Sequence, residues 1–266
     1  MADTVPDPST WLTTRYMRLP DGTFPHLGTR GGGDVADVVL LSGSPERVEL
    51  MAALLDGTEK VGDRRGYQVY TGKYRGRRLS VATSGVGSPS MSIAVEELAA
   101  CGAKTLIRVG SCASISPAVP VGGIAIANGA VSDEGTSRYY APINFPPVAS
   151  QRVVRAIADA ASALGVEVPI GLTRSTDSFY KGERTTEIID RWRRLGVLAF
   201  EMETSCLFTV AAALGLEAGS IICAGSNLLT GEATYQGQEM TSFATGQQKM
   251  LEIALVAAAS LTPATQ

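Results

Sequence analysis

Short apolar runs recur along the chain, each closed by small or polar residues and most followed by a longer amphipathic stretch. Val38 to Leu41, Thr105 to Val109, Gly123 to Val131, Val168 to Thr173, Val197 to Phe200 and Gly219 to Cys223 read as buried strands. They are short, rich in β-branched residues and bounded by turn formers. Tyr67 to Thr71 and Arg78 to Ala82 alternate as the two arms of a hairpin turning through Lys73 to Arg77. Helical periodicity predicts helices at Glu46 to Leu55, Met91 to Ala100, Gln151 to Leu164, Glu187 to Leu195, Ser205 to Leu214 and Thr241 to Leu261. Ser44 and Pro45 supply an N-cap and a first-turn proline for the first of these.

This strand–helix rhythm predicts an α/β protein: a single-domain three-layer α/β/α sandwich around a large mixed, partly barrel-like sheet. Pro6, Pro8, Pro20, Pro25 and the run Gly31-Gly32-Gly33 mark residues 1–33 as an N-terminal arm without regular structure, leaving 34–266 as the domain.

Composition narrows the function. With 266 residues the chain can bury a substantial core, and a formal charge of −3 gives no general attraction to nucleic acid or anionic lipid. Neither class of partner is expected, and any phosphate contact must be local. No apolar stretch reaches the roughly 20 residues that span a bilayer, and the N-terminus lacks a secretory pattern. Cys101, Cys112, Cys206 and Cys223 show no CxxC spacing, so buried reduced thiols in a cytoplasmic protein are expected, with no metal site.

The candidate chemistry lies at strand ends. Gly43-Ser-Pro-Glu-Arg47 follows one apolar run, and Arg108-Val-Gly-Ser111 closes another. In open α/β sheets ligands collect beyond the carboxyl ends of strands, and a guanidinium there offers a planar, permanently charged fork for an oxyanion. Ser84-Gly-Val-Gly-Ser-Pro-Ser90 can aim backbone N–H groups at an anion as it enters a helix. Phe200-Glu-Met-Glu203 ends a further run with two carboxylates, which repel phosphate and suit sugar hydroxyls instead.

Taken in order, Gly43 to Arg47, Ser84 to Ser90, Ser92 to Leu98, Arg108 to Ser111, Tyr140-Ala-Pro142, Asn144-Phe-Pro146, Phe179-Tyr180 and Glu201 to Glu203 resemble the nucleoside phosphorylase-I family, and within it most the uridine phosphorylases. The resemblance implies cleavage of the N-glycosidic bond of a nucleoside by inorganic phosphate as co-substrate, without a cofactor. It implies phosphate held by Gly43, Arg47, Arg108, Ser111 and an Arg65 donated across a subunit interface. It also implies ribose held by Met202, Glu203 and a neighbour's His26, the only histidine. Phe179 matches the aromatic packed on sugar and base. Arg47, Arg108 and Glu203 would carry catalysis. A homo-oligomer built of dimers with shared sites, usually a hexamer, goes with this pattern.

The base-reading positions depart from the family. Phe179-Tyr180-Lys181-Gly182-Glu183-Arg184 is one residue shorter than the related segment, leaving either Glu183 or Arg184 to face the base. Asn227 precedes Leu228 where uridine phosphorylases carry an arginine, and an Asn cannot act as the general acid that purine enzymes place there. The resemblance makes uridine or a related pyrimidine nucleoside the leading expected substrate, a 6-oxopurine nucleoside the alternative, and a noncatalytic nucleoside-binding protein the second alternative. A dinucleotide-binding dehydrogenase is disfavoured, since Gly85-Val-Gly87 lacks the third glycine and a suitably placed acidic residue.

Overall fold

The computed structural model describes residues 16–180, 186–234 and 240–262. Ten strands form one sheet: β1 (Val38–Ser42), β2 (Asp56–Arg64), β3 (Tyr67–Tyr74), β4 (Arg77–Thr83), β5 (Thr105–Ser114), β6 (Ile124–Asp133), β7 (Ile170–Thr176), β8 (Val197–Glu201), β9 (Glu217–Asn227) and β10 (Glu232–Ala233). Around it lie α1 (Pro45–Ala52), α2 (Ser88–Ala100), α3 (Gln151–Ala163), α4 (Thr186–Arg194), α5 (Thr204–Ala213) and α6 (Met240–Ser260). The strand order is β10-β9-β6-β7-β8-β5-β1-β4-β3-β2, with a further pairing of β9 to β5. Strands β5, β9, β6, β7 and β8 thus close into a ring, and β1, β4, β3 and β2 extend from β5 as an open wing.

Alternation along the wing strands builds the outer layers. In β1, Val38 and Leu40 pack with residues of α1, α3 and α6, while Val39 and Leu41 pack with α2 and α5. Cys112, Ala125, Ala199, Ile222 and Ala224 form a separate cluster with Val119, small side chains drawn from four ring strands. The three-layer arrangement and the barrel-like closure both follow the expectation from sequence.

Two elements, β2 and the short β10, escape the sequence pattern. Strand β2 carries Asp56, Thr58, Glu59, Lys60, Asp63 and Arg64 and is mostly exposed, so no apolar run announces it. It is an edge strand, and charges there discourage pairing with other chains. The expected helix over Glu46 to Leu55 stops at Ala52, and its last residues turn into that edge. Strands β5 and β9 also run beyond their expected ends, to Ser114 and Asn227.

Residues 16–33 contain turns and bends but no helix or strand. They are anchored nonetheless: Phe24 and Leu27 are fully buried, and the Glu97 carboxylate accepts from the backbone N–H of Leu27 at 2.8 Å. No described helix is long and apolar enough to cross a membrane.

Candidate active site

The cavity that holds the candidate chemistry follows from how β5 changes partners. Its first half pairs β1 up to Leu41 opposite Arg108, and its second half pairs β8 from Ala113 opposite Phe200. Between them, Val109 to Cys112 have a ladder partner only in β9. The two strands diverge from β5 there, and a cavity of about 670 Å³ opens, lined by Gly43, Arg47, Arg108, Ser111, Phe179, Met202, Glu203 and Asn227 among others. Eight expected site residues from five chain segments meet in it. A smaller hollow of about 330 Å³ beside Glu134 and Arg138 contains none of them.

Arg47 enters from the first turn of α1. Ser44 caps this helix, its Oγ accepting the Arg47 N–H at 3.2 Å, and the buried Arg47 guanidinium donates to Ser42 Oγ at 3.1 Å and to Gln247 Oε1 at 3.0 Å. Burial, and then the like charge of Arg108, lower its pKa to about 10, so it stays cationic near neutrality.

Arg108 is held differently. Its side chain folds forward along β5 over Gly110, where a Cβ would collide with the guanidinium. From there its Nε donates to Glu201 at 3.2 Å and its Nη2 pairs with Glu203 at 2.6 Å. Burial opposes the Arg108 charge, but the two carboxylates outweigh it and raise its pKa.

The two carboxylates have separate jobs. Glu201 accepts from Ser175 Oγ and from the backbone N–H groups of Glu203 and Thr204, each of these two at 2.8 Å, so it serves as the anion at the start of α5. Burial alone would raise its pKa; Arg108 and these donors bring it below the usual range. That leaves Glu203 free of capping. Its Oε1 accepts from Gly87 N–H at 2.6 Å, and burial raises its pKa despite the opposing pull of Arg108. The glycine-rich turn thus does aim an N–H at an anion, but that anion is the protein's own carboxylate. Each oxygen of Glu203 keeps acceptor capacity for a sugar hydroxyl.

At the phosphate end two guanidiniums, Arg47 and Arg108, are balanced by two carboxylates, Glu201 and Glu203. Of the three arginines expected around phosphate, Arg47 and Arg108 line the cavity, and the third, Arg65, was expected from a neighbouring subunit. Arg65 lies at the tip of the β2–β3 hairpin, with φ of 52°, and does not line the cavity. His26 does not line it either: its Nδ1 lies 2.7 Å from Glu97, and its ring stands edge-on to Tyr67 with centroids 6.3 Å apart. Both residues thus flank Tyr67, one in space and one along the same hairpin, outside their own chain's cavity.

At the base end, Phe179 is 43% exposed and its ring meets Tyr180. Asn227 touches the cavity, but its Nδ2 donates to the carbonyls of Ser116 at 3.3 Å and Val119 at 3.2 Å, and its Oδ1 accepts from Leu229 N–H. Its side chain is fixed to the backbone, which leaves one acceptor lone pair for a base. Glu183 and Arg184 lie outside the described residues. Sequence reasoning missed Arg174, Phe200 and Phe243, all of which line the cavity. Arg174 carries the signal that singled out Arg108, an arginine just beyond an apolar run, here Val168 to Thr173.

A basic and acidic site set where strands part from one another, at the end of a closed five-strand ring, defines a class that the whole chain shares. Residues 37–260 match the model of the phosphorylase superfamily, and the chain belongs to that family. It is 41% identical over 240 residues to a uridine phosphorylase of Thermococcus kodakarensis, covering 86% of each. It is 37% identical over 232 residues to a DeoD-type purine nucleoside phosphorylase of Caldanaerobacter subterraneus, covering 86% of this chain and 99% of that one. The crystal structure of uridine phosphorylase from Vibrio fischeri superposes with a TM-score of 0.82 at 31% identity, over 92% of this chain and 99% of that one.

Proposed function

We propose that this protein is a nucleoside phosphorylase, a pentosyltransferase that cleaves the N-glycosidic bond of uridine with inorganic phosphate to give ribose 1-phosphate and uracil. The observation that carries the reading is the convergence of Arg47, in the first turn of α1 after β1, and Arg108, on the neighbouring parallel strand β5, on a cavity whose carboxylate Glu203 is left free of helix capping. Likeness to uridine phosphorylases supports the choice of base.

Glycosidic cleavage leaves positive charge on the ribose ring and negative charge on the departing base. Phosphate bound at Arg47 and Arg108 stands beside the anomeric carbon, stabilises the oxocarbenium-like transition state and then attacks it. Glu203 accepts from ribose hydroxyls and adds negative potential beneath the ring. In this reading no cofactor takes part. The neutral balance at the phosphate end asks for another cation when phosphate arrives, and Arg65 from a second subunit supplies it. His26 travels with it, so the working unit is a dimer with shared sites, assembled further as a hexamer. The four buried free thiols suit the reducing cytoplasm.

The likeness to purine nucleoside phosphorylases favours a second reading, phosphorolysis of a 6-oxopurine nucleoside. A panel of uridine, cytidine, inosine and adenosine, with arsenate and phosphate-free controls, tests both. Free uracil released from uridine only when phosphate or arsenate is present is the expected result. Base release that proceeds equally without either anion would overturn the proposal.

A further inference from the structure

Arg174 is a buried cation on the cavity wall that the proposed chemistry leaves unused. It stands on β7, is 7% exposed and lines the cavity beside Thr176, Ser178 and Phe179. Asp133 on β6 pairs with its Nη2, and its guanidinium carbon lies 5.1 Å from the Trp192 ring centroid and 5.2 Å from that of Phe200. Such packing immobilises the planar group. Its Nε is buried with no hydrogen-bond partner. Aromatic contact and one ion pair thus orient the group, and because Nε is sealed from the cavity, the donor it offers there is a terminal Nη nitrogen.

Strand register places this fork relative to the phosphate end. Arg174 pairs Phe200, Phe200 pairs Ala113, Ala113 pairs Ser226 and Ser226 pairs Ala233, so one row crosses five strands, and every member lines the cavity. Ala113 lies three residues beyond Gly110 on β5, roughly 10 Å at about 3.3 Å per residue. Arg108 covers Gly110, so a ligand anchored by an oxyanion there presents its other end to the row. Leu228, where related enzymes carry an arginine, is apolar here and packs with Trp192 and Phe200 against Ile115, Ile189 and Val197.

We propose that Arg174 is a base-reading residue of this enzyme, its guanidinium donating to a ring carbonyl and selecting oxo over amino nucleobases. This rests on the phosphorylase reading above. A guanidinium has donors only, so it pairs with the carbonyl of uracil or of a 6-oxopurine and meets the exocyclic amine of cytosine or adenine donor to donor. The cation reaches the base from β7 rather than from the position of Leu228.

The test compares kcat/KM for uridine with cytidine, and for inosine with adenosine, in the wild type, Arg174→Met and Arg174→Lys, together with the KM for phosphate. The wild type is expected to favour the oxo member of whichever pair it cleaves. Arg174→Met should lower that ratio by roughly 10- to 100-fold, with the phosphate KM changed less than about twofold, the scatter of an uninvolved site. Arg174→Lys keeps a cation for Asp133 but loses the fork, so it should fold and still lose most of the ratio; it carries the test if the methionine variant does not fold. Equal losses for both members of a pair, or an unchanged ratio, would overturn the assignment and reduce Arg174 to a support of the sheet. A wild type that cleaves none of the four nucleosides would overturn the phosphorylase reading and this inference with it.

Discussion

Replacing Arg108 with methionine keeps most of the side-chain volume and removes the cation that bridges two buried carboxylates. Arg108, Glu201 and Glu203 have side chains 4%, 0% and 6% exposed, with contacts of 3.2 and 2.6 Å. Breaking a buried pair by removing one partner costs about 3–5 kcal/mol. The loss cannot grow without limit, because a stranded carboxyl can take up a proton. From an ordinary value of about 4.3, that costs about 3.7 kcal/mol at pH 7 and about 1 kcal/mol at pH 5, at 1.36 kcal/mol per pH unit. Arg108→Met is therefore expected to lose about 3–5 kcal/mol at pH 7 and markedly less at pH 5. At about 2–4 °C per kcal/mol for a chain near this size, melting should fall by roughly 6–20 °C at pH 7. Thermal and urea unfolding at fixed protomer concentration measure both values. A loss below about 1 kcal/mol at pH 7, or one of the same size at both pH values, would refute the reasoning.

Gly110→Ala places a methyl group where the Arg108 guanidinium lies, so the phosphate KM should rise at least roughly tenfold while circular dichroism stays native; an unchanged KM would show that Arg108 does not need that path. Glu203 titrates above the usual carboxylate range, chiefly through burial, and must be ionised to accept ribose hydroxyls. The acidic limb of the kcat profile should therefore lie above about 4.3, and Glu203→Gln should abolish that limb while lowering kcat at least roughly tenfold. The same shifts act on stability in opposite senses. Ionising Glu203 costs stability that is absent below its unfolded pKa and complete above its folded one. Glu201, held low, contributes stability present above its unfolded pKa and lost as pH falls through its folded pKa.

Much of the fold was written locally. The buried apolar run of β1, the Ser44-Pro45 helix start and the strand–helix rhythm each depend on neighbours a few residues apart, and all three appear where the sequence placed them. Strand β2 was invisible because its polar residues face solvent at an edge and leave no apolar period. At the site, Arg47, Arg108, Ser111 and Glu203 could be singled out because charged or polar groups closing apolar runs stand out in one dimension. Their pairing could not. That Arg108 bridges Glu201 and Glu203 depends on the register by which β8 runs antiparallel to β5, and that Gly87 reaches Glu203 depends on α2 and α5 packing side by side. Asn227 likewise shows its hold on Ser116 and Val119 only once β9 lies beside β5.

The chain by itself determined which residues are charged, where the backbone turns and which faces are apolar, since these are properties of nearest neighbours. Tertiary structure alone decided which charges neutralise one another, that Arg65 and His26 stand outside their own cavity, and that Arg174 stands inside it. Coulomb energies and desolvation depend on through-space distance and burial, and residues more than sixty positions apart along the chain acquire both only when the ring of strands closes.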